Sequence, residues 1–328
     1  MGIKGVRWGD SKNWGTKGEG NIAKVSVLQR PLRVETFPKD IVLDILSRLP
    51  VKALGQSSSD RVDLISSCNG LVSMLVNFKT VFLLNPLTRE FKKLPDHVFK
   101  WQYYGFGYDS FSDDYKVVLG SCEEIGNGYL ESIVIKVYSL RSNCWKQIQQ
   151  VMPHHIQCPN GVFANGAIHW EASRKGQNLS CHIVSFNLAE EKFKVVLQPN
   201  DGEEGCLFTL GILGGNLVMS RYGFGTVWTM EEYGVRESWT ALLHFSPAEK
   251  PDSEYVLSPL CYKKNGGILL QNSSSHLVTY YRNGNSFVLS PFSIIEDELH
   301  VAKTKLHWYF ESLVSPYSDN EKRRLHLA

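Results

Sequence analysis

The feature that most limits how this chain can fold is a unit that recurs about every 48 residues. Each unit contains an apolar strand, a polar turn and a closing strand with one large aromatic residue. The closing aromatics, which are separated by 54, 48, 46 and 48 residues, are Phe91, Trp145, Phe193, Trp239 and Phe287. A period of about 40–50 residues is typical of β-propeller blades, because a four-stranded sheet cannot bury its faces alone and must stack on its neighbours.

Turn signals agree with this interpretation. Asn-Gly and Gly-Gly pairs provide the positive φ angles that tight hairpins require, and they occur at 69–70, 165–166, 214–215 and 265–267. Hairpin turns also recur in β-sandwiches, but a sandwich does not predict one aromatic position per unit over five units. We therefore expect a mainly β chain with a β-propeller-like domain of about five to six blades. Five units are visible, and a sixth could be built from residues 23–28 or 293–315.

Composition and charge exclude several classes of partner. Of the 328 residues, 43% are hydrophobic and 12% aromatic, which is enough for a large core. The net charge of +2 provides no field that would attract nucleic acid or an anionic membrane. No apolar run approaches the roughly 18 residues of a membrane helix, and the first 30 residues lack a secretory core. We expect a cytoplasmic and/or nuclear protein that binds neither nucleic acid nor membrane.

No motif in the chain predicts catalysis or a cofactor. The seven cysteines are never closer than 14 residues, so no zinc-binding Cys-x-x-Cys pair is present. The stretch 105–109 lacks the third glycine of a nucleotide-binding loop, and we interpret it as a β-turn that enters a strand. We place His154-His155 in an inter-strand loop and His169 beside Trp170 in a strand, where alternating side chains face opposite ways. We predict no catalytic residue, no metal site and no cofactor, and hence a protein that is not an enzyme.

Residues 37–50 predict a short amphipathic helix. Thr36 is a suitable N-cap, Pro38 fits the first turn, and Pro50 ends the helix. Apolar residues recur at the spacing of one helix face, opposite the polar residues; they are Ile41, Val42, Ile45, Leu46 and Leu49. Packing of this face within its own domain is the simplest explanation of such a helix.

The order of residues in this helix is more specific than its amphipathic character. The patterns Pro38-x-Asp40, Ile45-Leu46-x-Arg48-Leu49-Pro50 and Val51-Lys52-x-Leu54 resemble the opening of an F-box. The resemblance implies that the segment docks a Skp-family adaptor and, through it, a cullin. The residues implied in this contact are Pro38, Ile41, Ile45, Leu46, Leu49 and Pro50. Phe37 differs from the usual leucine, and the small polar run 55–60 stands where two further helices would follow, so we predict an F-box truncated after its first helix.

Motifs in the β region extend the resemblance. The segments 67–71, 84–89, 104–109, 114–118 and 165–170 are similar to the F-box-associated, kelch-like domain of plant F-box proteins. Residues 311–316 resemble the usual end of that domain. The implied organisation is a flexible leader (1–35), a partial F-box (36–54), a linker (55–60), the β-propeller-like domain (61–315) and a polar tail (316–328).

The resemblance implies a substrate-recognition subunit of a Skp–cullin–F-box E3 ubiquitin ligase, whose β domain binds the protein to be ubiquitinated. The main alternative is a stand-alone interaction module that has lost efficient adaptor binding. A propeller enzyme is a third possibility, for which the chain offers no supporting residues. Recognition on rigid β scaffolds is carried by long loops, and the candidates are 122–129, 174–178, 200–205 and 222–225.

The candidate target-binding residues in these loops are acidic or aromatic. Acidic loops favour a basic partner, and aromatic rings are common interface anchors. The residues are Glu123, Glu124, Tyr129, Glu203, Glu204, Tyr222 and Phe224. Tyr222 and Phe224 fit strand positions of their unit equally well.

Overall fold

The structure is a computed structural model, and it describes residues 62–76, 79–96, 102–125, 130–152, 154–174, 181–200, 202, 207–222, 225–244, 256–263, 265–272, 276–282, 286–293, 312–318 and 321. Within these ranges the chain forms 21 β-strands and one short 3-10 turn. The predicted leader, docking helix and linker lie outside them.

The strands form five antiparallel sheets, in which four strands follow one another in chain order. Blade 1 contains β1 (Val62–Cys68), β2 (Leu71–Val76), β3 (Thr80–Asn85) and β4 (Glu90–Lys93). Blade 2 contains β5 (Tyr103–Asp109), β6 (Asp114–Ile125), β7 (Leu130–Ser139) and β8 (Cys144–Met152). Blade 3 contains β9 (His154–Ile156), β10 (Val162–Ala164), β11 (Ala167–Arg174), β12 (Cys181–Asn187) and β13 (Lys192–Val196).

Blade 4 contains β14 (Phe208–Leu213), β15 (Asn216–Arg221), β16 (Thr226–Met230) and β17 (Trp239–His244), with the 3-10 turn Arg236–Ser238 before β17. Blade 5 contains β18 (Leu257–Tyr262), β19 (Ile268–Asn272), β20 (His276–Tyr281) and β21 (Ser286–Ser293). The first strands of successive blades contact one another, β1 with β5, β5 with β10, β10 with β14, and β14 with β18. The first strands therefore lie innermost, and the mainly β, propeller-like fold is confirmed with five described blades.

Strand β9 is an addition to the four-strand pattern of blade 3. It pairs with residues 172–174 of β11, beside the short strand β10, which pairs with residues 167–169. His154 and His155 therefore lie in a strand, and the prediction of a loop at this position was wrong. The strand pairing is possible because β10 covers only the first three residues of the eight-residue strand β11.

The repeated aromatic position has a common role in the hairpin that closes each blade. Each closing aromatic directly opposes a residue near the end of the third strand, in the pairs Leu84–Phe91, Tyr138–Trp145, Phe186–Phe193, Met230–Trp239 and Tyr280–Phe287. In blades 2, 3 and 5 both partners are aromatic, with ring centroids 5.2, 5.1 and 5.0 Å apart. Such cross-strand contacts stabilise a hairpin and explain one aromatic per unit.

The two closing tryptophans also join their blade to the one before it. The indole Nε1 of Trp145 in blade 2 donates a hydrogen bond of 2.9 Å to the carbonyl of Pro95, just after the last strand of blade 1. The indole of Trp239 in blade 4 donates at 2.8 Å to the carbonyl of Leu197, just after the last strand of blade 3. A tryptophan at this position therefore holds in place the backbone that follows the last strand of the preceding blade.

The hairpins between third and fourth strands use one turn repeatedly. In blade 1 the side-chain oxygen of Asn85 accepts a hydrogen bond of 2.8 Å from the backbone N–H of Leu87, and Arg89, the last loop residue, has φ of 59°. In blade 3 Asn187 accepts one of 3.0 Å from Ala189, and Glu191 has φ of 54°. An asparagine at this position replaces a backbone acceptor and so favours the turn.

Glycines allow blade 3 to pack directly on the backbone of strand β5. The stretch Gly105-Phe106-Gly107 forms the strand itself, so the predicted β-turn at 105–109 was wrong. A Cβ atom on Gly105 would lie 2.4 Å from Cγ2 of Ile168, which is fully buried in blade 3. These glycines are therefore explained by close packing and not by a turn, because their small size allows a close contact between blades.

We predict that Gly105→Ala destabilises the domain, since the new methyl group overlaps a buried β-branched side chain. The expected loss in the free energy of unfolding is about 1–3 kcal/mol, the usual cost of overpacking. Gly211→Ala is the matched control, because Gly211 also lies in the first strand of a blade and its nearest contact would be 3.3 Å away. Urea denaturation of the two variants measures the difference, and equal stabilities would contradict the prediction.

His169 and Trp170 point to opposite faces of blade 3, as the strand pattern predicts. The indole of Trp170 donates a hydrogen bond of 3.2 Å to the carbonyl of Tyr104 in blade 2. On the other face, His169 Nε2 lies 2.8 Å from the hydroxyl of Tyr233 in blade 4. Both side chains are fully buried, because each face of the sheet is covered by a neighbouring blade.

The contacts of His169 fit the neutral imidazole. Nδ1 lies 3.2 Å from the carbonyl of Val162, which can only accept, so Nδ1 carries a proton, and in the neutral form Nε2 accepts from the hydroxyl of Tyr233. Burial lowers the pKa of His169 to about 4, and the hydrogen bonds to the carbonyls of Val162 and Ala167 offset only part of this effect.

We predict that the free energy of unfolding falls as the pH decreases from about 6.5 to 4. In this window the unfolded chain binds a proton at His169 and the folded chain does not. At the lower end of the window, this difference reduces the free energy of unfolding by about 3 kcal/mol. His169→Gln removes this part of the pH dependence, whereas His155→Gln, at an exposed histidine, leaves it unchanged. Denaturant titrations between pH 4 and 7 test this, and a wild-type stability that is constant between pH 6.5 and 5 would refute it.

Residues 312–318 and Glu321 return to blade 1 from the end of the chain. The side-chain amide of Asn85 donates hydrogen bonds of 2.7 Å to the carbonyls of Ser312 and Val314. Tyr317 donates from its hydroxyl to the carbonyl of Phe91 at 2.6 Å. Contacts with the β domain therefore extend past the boundary that the sequence predicts at residue 315.

Candidate recognition surface

The alternating direction of the strands divides the connections between two faces of the propeller. Turns between first and second strands, and between third and fourth strands, lie on one side, which we call the turn face; examples are 69–70, 86–89 and 165–166. Connections between second and third strands, and between one blade and the next, lie on the other side, which we call the loop face. The turn face carries the Asn-Gly hairpins, whereas the loop face carries the connections between blades, such as 94–102 and 197–207.

The described parts of all four segments predicted to carry recognition lie on the loop face; residues 126–129, 175–178, 201, 203–205 and 223–224 lie outside the described residues. The segments 122–129, 174–178 and 222–225 stand where the second and third strands of blades 2, 3 and 4 are joined. The segment 200–205 lies in the connection from blade 3 to blade 4. The topology thus brings to one surface the described ends of four segments that are up to about 100 residues apart in sequence, and single-sequence reasoning could not place them together.

The first of these segments is more regular than the sequence predicts. Residues 122–125 are not a loop but the end of strand β6, in which Glu123 pairs with Ser132 and Glu124 with Glu131 of β7. Strand β5 pairs with β6 only as far as Gly120, whereas β8 pairs with β7 as far as Glu131. On the loop face, the hairpin of β6 and β7 therefore projects beyond β5 while it remains paired with β8. Tyr129 lies outside the described residues.

Tyr222 is the predicted target-binding residue whose surroundings the structure shows best. It directly follows strand β15 and is 37% exposed, so it is a turn residue and not a strand residue. Its backbone N–H donates a hydrogen bond of 3.0 Å to the carbonyl of Leu207, which is 57% exposed. Leu197, at the exit of blade 3, is 55% exposed. Glu203, Glu204 and Phe224 lie outside the described residues.

A buried polar network supports this part of the surface. Arg221, next to Tyr222, is fully buried, and its Nη1 donates a hydrogen bond of 3.2 Å to Oε1 of Gln198. Gln198 in turn donates at 2.6 Å to the carbonyl of Cys181, and its own carbonyl accepts from Nε of Arg236 at 2.9 Å. Because buried polar groups that are satisfied in this way rigidify their surroundings, the network holds Leu197 and Tyr222 in place. The sequence gives no signal for this pairing, since Arg221 and Gln198 lie in different units.

The described residues provide no constellation for catalysis. Among them, no group of three or more histidine, cysteine, aspartate and glutamate side chains is placed to hold a metal ion. The buried His169 is occupied by contacts between blades 3 and 4. None of the helical segments in the described part of the chain has the length and apolar character that a membrane-crossing helix needs.

The predicted adaptor-docking residues lie outside the described residues, so their contacts stay a prediction; they are Pro38, Ile41, Ile45, Leu46, Leu49 and Pro50. The point at which the chain enters the described part of the propeller is defined. Strand β1 begins at Val62 and runs to the turn 69–70 on the turn face, so the chain enters blade 1 from the loop face.

Comparison with known proteins agrees with this architecture. The family model described as the F-box associated beta propeller domain matches residues 39–316. The chain is 31% identical to the F-box protein CPR1 of Arabidopsis thaliana, in a match that covers 66% of this chain and 60% of that protein. It is 27% identical to the F-box protein At4g22390, over 66% and 61% of the two chains, and 30% identical to the F-box/kelch-repeat protein At3g23880, over 56% and 53%, both from the same plant.

The chain spans about 60% of the length of the first two of these relatives. The family match includes most of the sequence, from the predicted docking helix through the five blades. On this evidence the chain belongs to the family of F-box proteins with an F-box associated β-propeller domain, as the motifs in its sequence indicate.

Proposed function

We propose that this chain is the substrate-recognition subunit of a Skp–cullin–F-box ubiquitin ligase. The observation that carries the proposal is the family match, which runs from Lys39 within the predicted docking helix through the whole β domain. In this function the chain performs no covalent step. The segment 37–50 docks the Skp-family adaptor, and the loop face binds the target protein. We propose a cytoplasmic and/or nuclear location, where such a complex would act.

The position of β1 limits how far the docking segment can lie from the loop face. Eight residue steps separate Leu54 from Val62, and a fully extended chain covers at most about 28 Å over this distance. Because the chain enters blade 1 from the loop face, the adaptor would be held on the side of the propeller that carries the candidate recognition loops. A target bound there would lie close to the ligase.

The chemistry of the loop face favours a target segment with basic and apolar side chains. The predicted residues are Glu123, Glu124, Glu203 and Glu204, which would attract lysine and arginine, and Tyr129, Tyr222 and Phe224, which would provide aromatic anchors. Leu207 adds to them, since it lies beside Tyr222 and exposes more than half of its surface. Recognition through connections on a rigid scaffold is common among β-propellers.

The stand-alone interaction module remains the second candidate. The start of β1 at Val62 favours it, because residues 55–61 are too few for two further helices. Without those helices the docking helix would lack its usual support. The module would still bind a target through the loop face, but it would bring no adaptor.

We predict that Leu46→Asp reduces binding of the Skp-family adaptor more than tenfold, because it places a charge on the apolar face of the docking helix. Ser47→Asp, which adds the same charge at the next position on the polar face, should bind like the wild type. A pull-down with purified adaptor measures both. If the wild type fails to bind, but a variant with two F-box helices inserted after Leu54 succeeds, the stand-alone module is the correct function.

We predict that Leu207→Asp combined with Tyr222→Asp removes target proteins from the complex. The control is Phe111→Asp, because Phe111 is 91% exposed in a hairpin of the turn face and should not affect recognition. The measurement is quantitative mass spectrometry of proteins that co-purify with each variant while the proteasome is inhibited. A target set that is unchanged in the loop-face variant, or lost equally in the Phe111 variant, would contradict recognition by the loop face.

A further inference from the structure

The end of the chain makes a set of contacts with blade 1 that the proposed function does not use. Ser312 donates from its hydroxyl at 2.6 Å to the carbonyl of Asn69, in the first turn of blade 1. Asn85, in the second turn, is fully buried and donates to two carbonyls of the returning segment. The segment therefore crosses the turn face of blade 1 and is held by both of its hairpins.

Asn85 is fully satisfied in this arrangement. Its oxygen accepts hydrogen bonds from the N–H groups of Leu87 and Thr88, while its NH₂ group donates to the carbonyls of Ser312 and Val314, all between 2.7 and 3.2 Å. Both donors of the buried amide are therefore paired with backbone carbonyls of the returning segment. The turn asparagine of blade 1 thus serves both its own hairpin and the end of the chain.

An ion pair between a buried lysine and a partly exposed glutamate holds the far end of the same segment. Nζ of Lys92 in β4 lies 2.7 Å from both carboxylate oxygens of Glu321, and the lysine side chain is only 6% exposed. The ammonium group also lies 5.7 Å from the ring centre of Tyr138 in blade 2 and 6.0 Å from that of Tyr317. At these distances the rings add to the stabilisation of the charge.

The segment also bridges two blades. Val314 packs against the hydrophobic cluster shared by blades 1 and 2, which includes Leu83 and Tyr138. Ser318 orients the acidic partner, since its N–H and hydroxyl both donate to Oε2 of Glu321 at 2.9 Å. Burial by itself raises the pKa of Glu321, but the hydrogen bonds from Lys92 and Ser318 outweigh it and keep the pKa below its usual value.

We infer that blade 1 contains a binding site for a later segment of the same chain, and that residues 312–318 and Glu321, held there by Asn85 and Lys92, stabilise the contact between blades 1 and 2. We call this segment the clasp. Tyr317 and Glu321 lie beyond residues 39–316, the part matched by the family model, so this end of the clasp is not part of what the family model describes. The inference does not depend on the proposed ligase function.

The chain offers a matched control for the ion pair. Lys93, the next residue, forms an ion pair of 2.8 Å with Asp96, but their side chains are 41% and 75% exposed. Exposed pairs contribute little to stability, whereas loss of one partner of a buried pair leaves an uncompensated charge. Lys92→Met should lower the midpoint of thermal unfolding by about 5 °C or more, and Lys93→Met by less than about 2 °C.

A truncated chain tests whether Lys92 acts through the clasp. Deletion of residues 317–328 should lower the midpoint about as much as Lys92→Met, and the two changes together should cost no more than the larger of them. Additive losses would overturn the inference, because Lys92 would then stabilise the domain in another way. If Lys92→Met does not fold, Lys92→Gln replaces it in the same cycle, since it removes the charge but keeps a polar end group.

Hydrogen exchange of the full-length chain provides an independent test. In the Lys92→Met or Glu321→Gln variant we expect faster exchange of backbone amides in 312–318 and along the strands of blades 1 and 2. Blade 4 serves as the internal reference and should keep its protection. Unchanged exchange in residues 312–318 would show that the clasp is held without the ion pair and would overturn the role of Lys92.

Discussion

Burial of both faces of every sheet is the constraint on which the rest of this structure depends. His169 and Trp170 illustrate it, because neighbouring residues on opposite faces of one strand are both fully buried, one against blade 4 and the other against blade 2. The contacts between blades are accordingly specific. The side chain of Ile168 packs on the backbone of Gly105. The indole groups of Trp145 and Trp239 donate hydrogen bonds to backbone carbonyls just after the last strand of the preceding blade. Each blade thus completes the core of its neighbour.

The sequence predicts the parts of the fold that depend on local, repeated chemistry. The closing aromatics were identified from their spacing alone, and each opposes a residue of the preceding strand. The Asn-Gly turns were identified because positive φ angles have few solutions, and Asn69 and Asn165 have φ of 48° and 47°. The family assignment followed from short motifs in the same positions.

Other features could not be predicted, for physical reasons that differ from case to case. Lys92 and Glu321 form an ion pair although they lie 229 positions apart, and no sequence motif near either residue identifies its partner. Residues 122–125 resemble a loop because they contain two glutamates and precede the Gly-Asn-Gly stretch 126–128, yet they continue β6 where β5 no longer pairs with it. The described ends of the four candidate segments lie together on the loop face because of strand direction, which only the topology of the described strands defines. The docking helix lies outside the described residues, so its contacts stay a prediction.

The clasp has a consequence for how the protein is made. Lys92 precedes Glu321 by 229 residues. At a synthesis rate of about 5–20 residues per second, about 10 to 45 seconds pass between the translation of the two residues. Blade 1 is therefore synthesised before the clasp, and the other four described blades are translated in the interval. Blade 1 is therefore completed only after Glu321 has been translated, when the strands of all five described blades have already been synthesised.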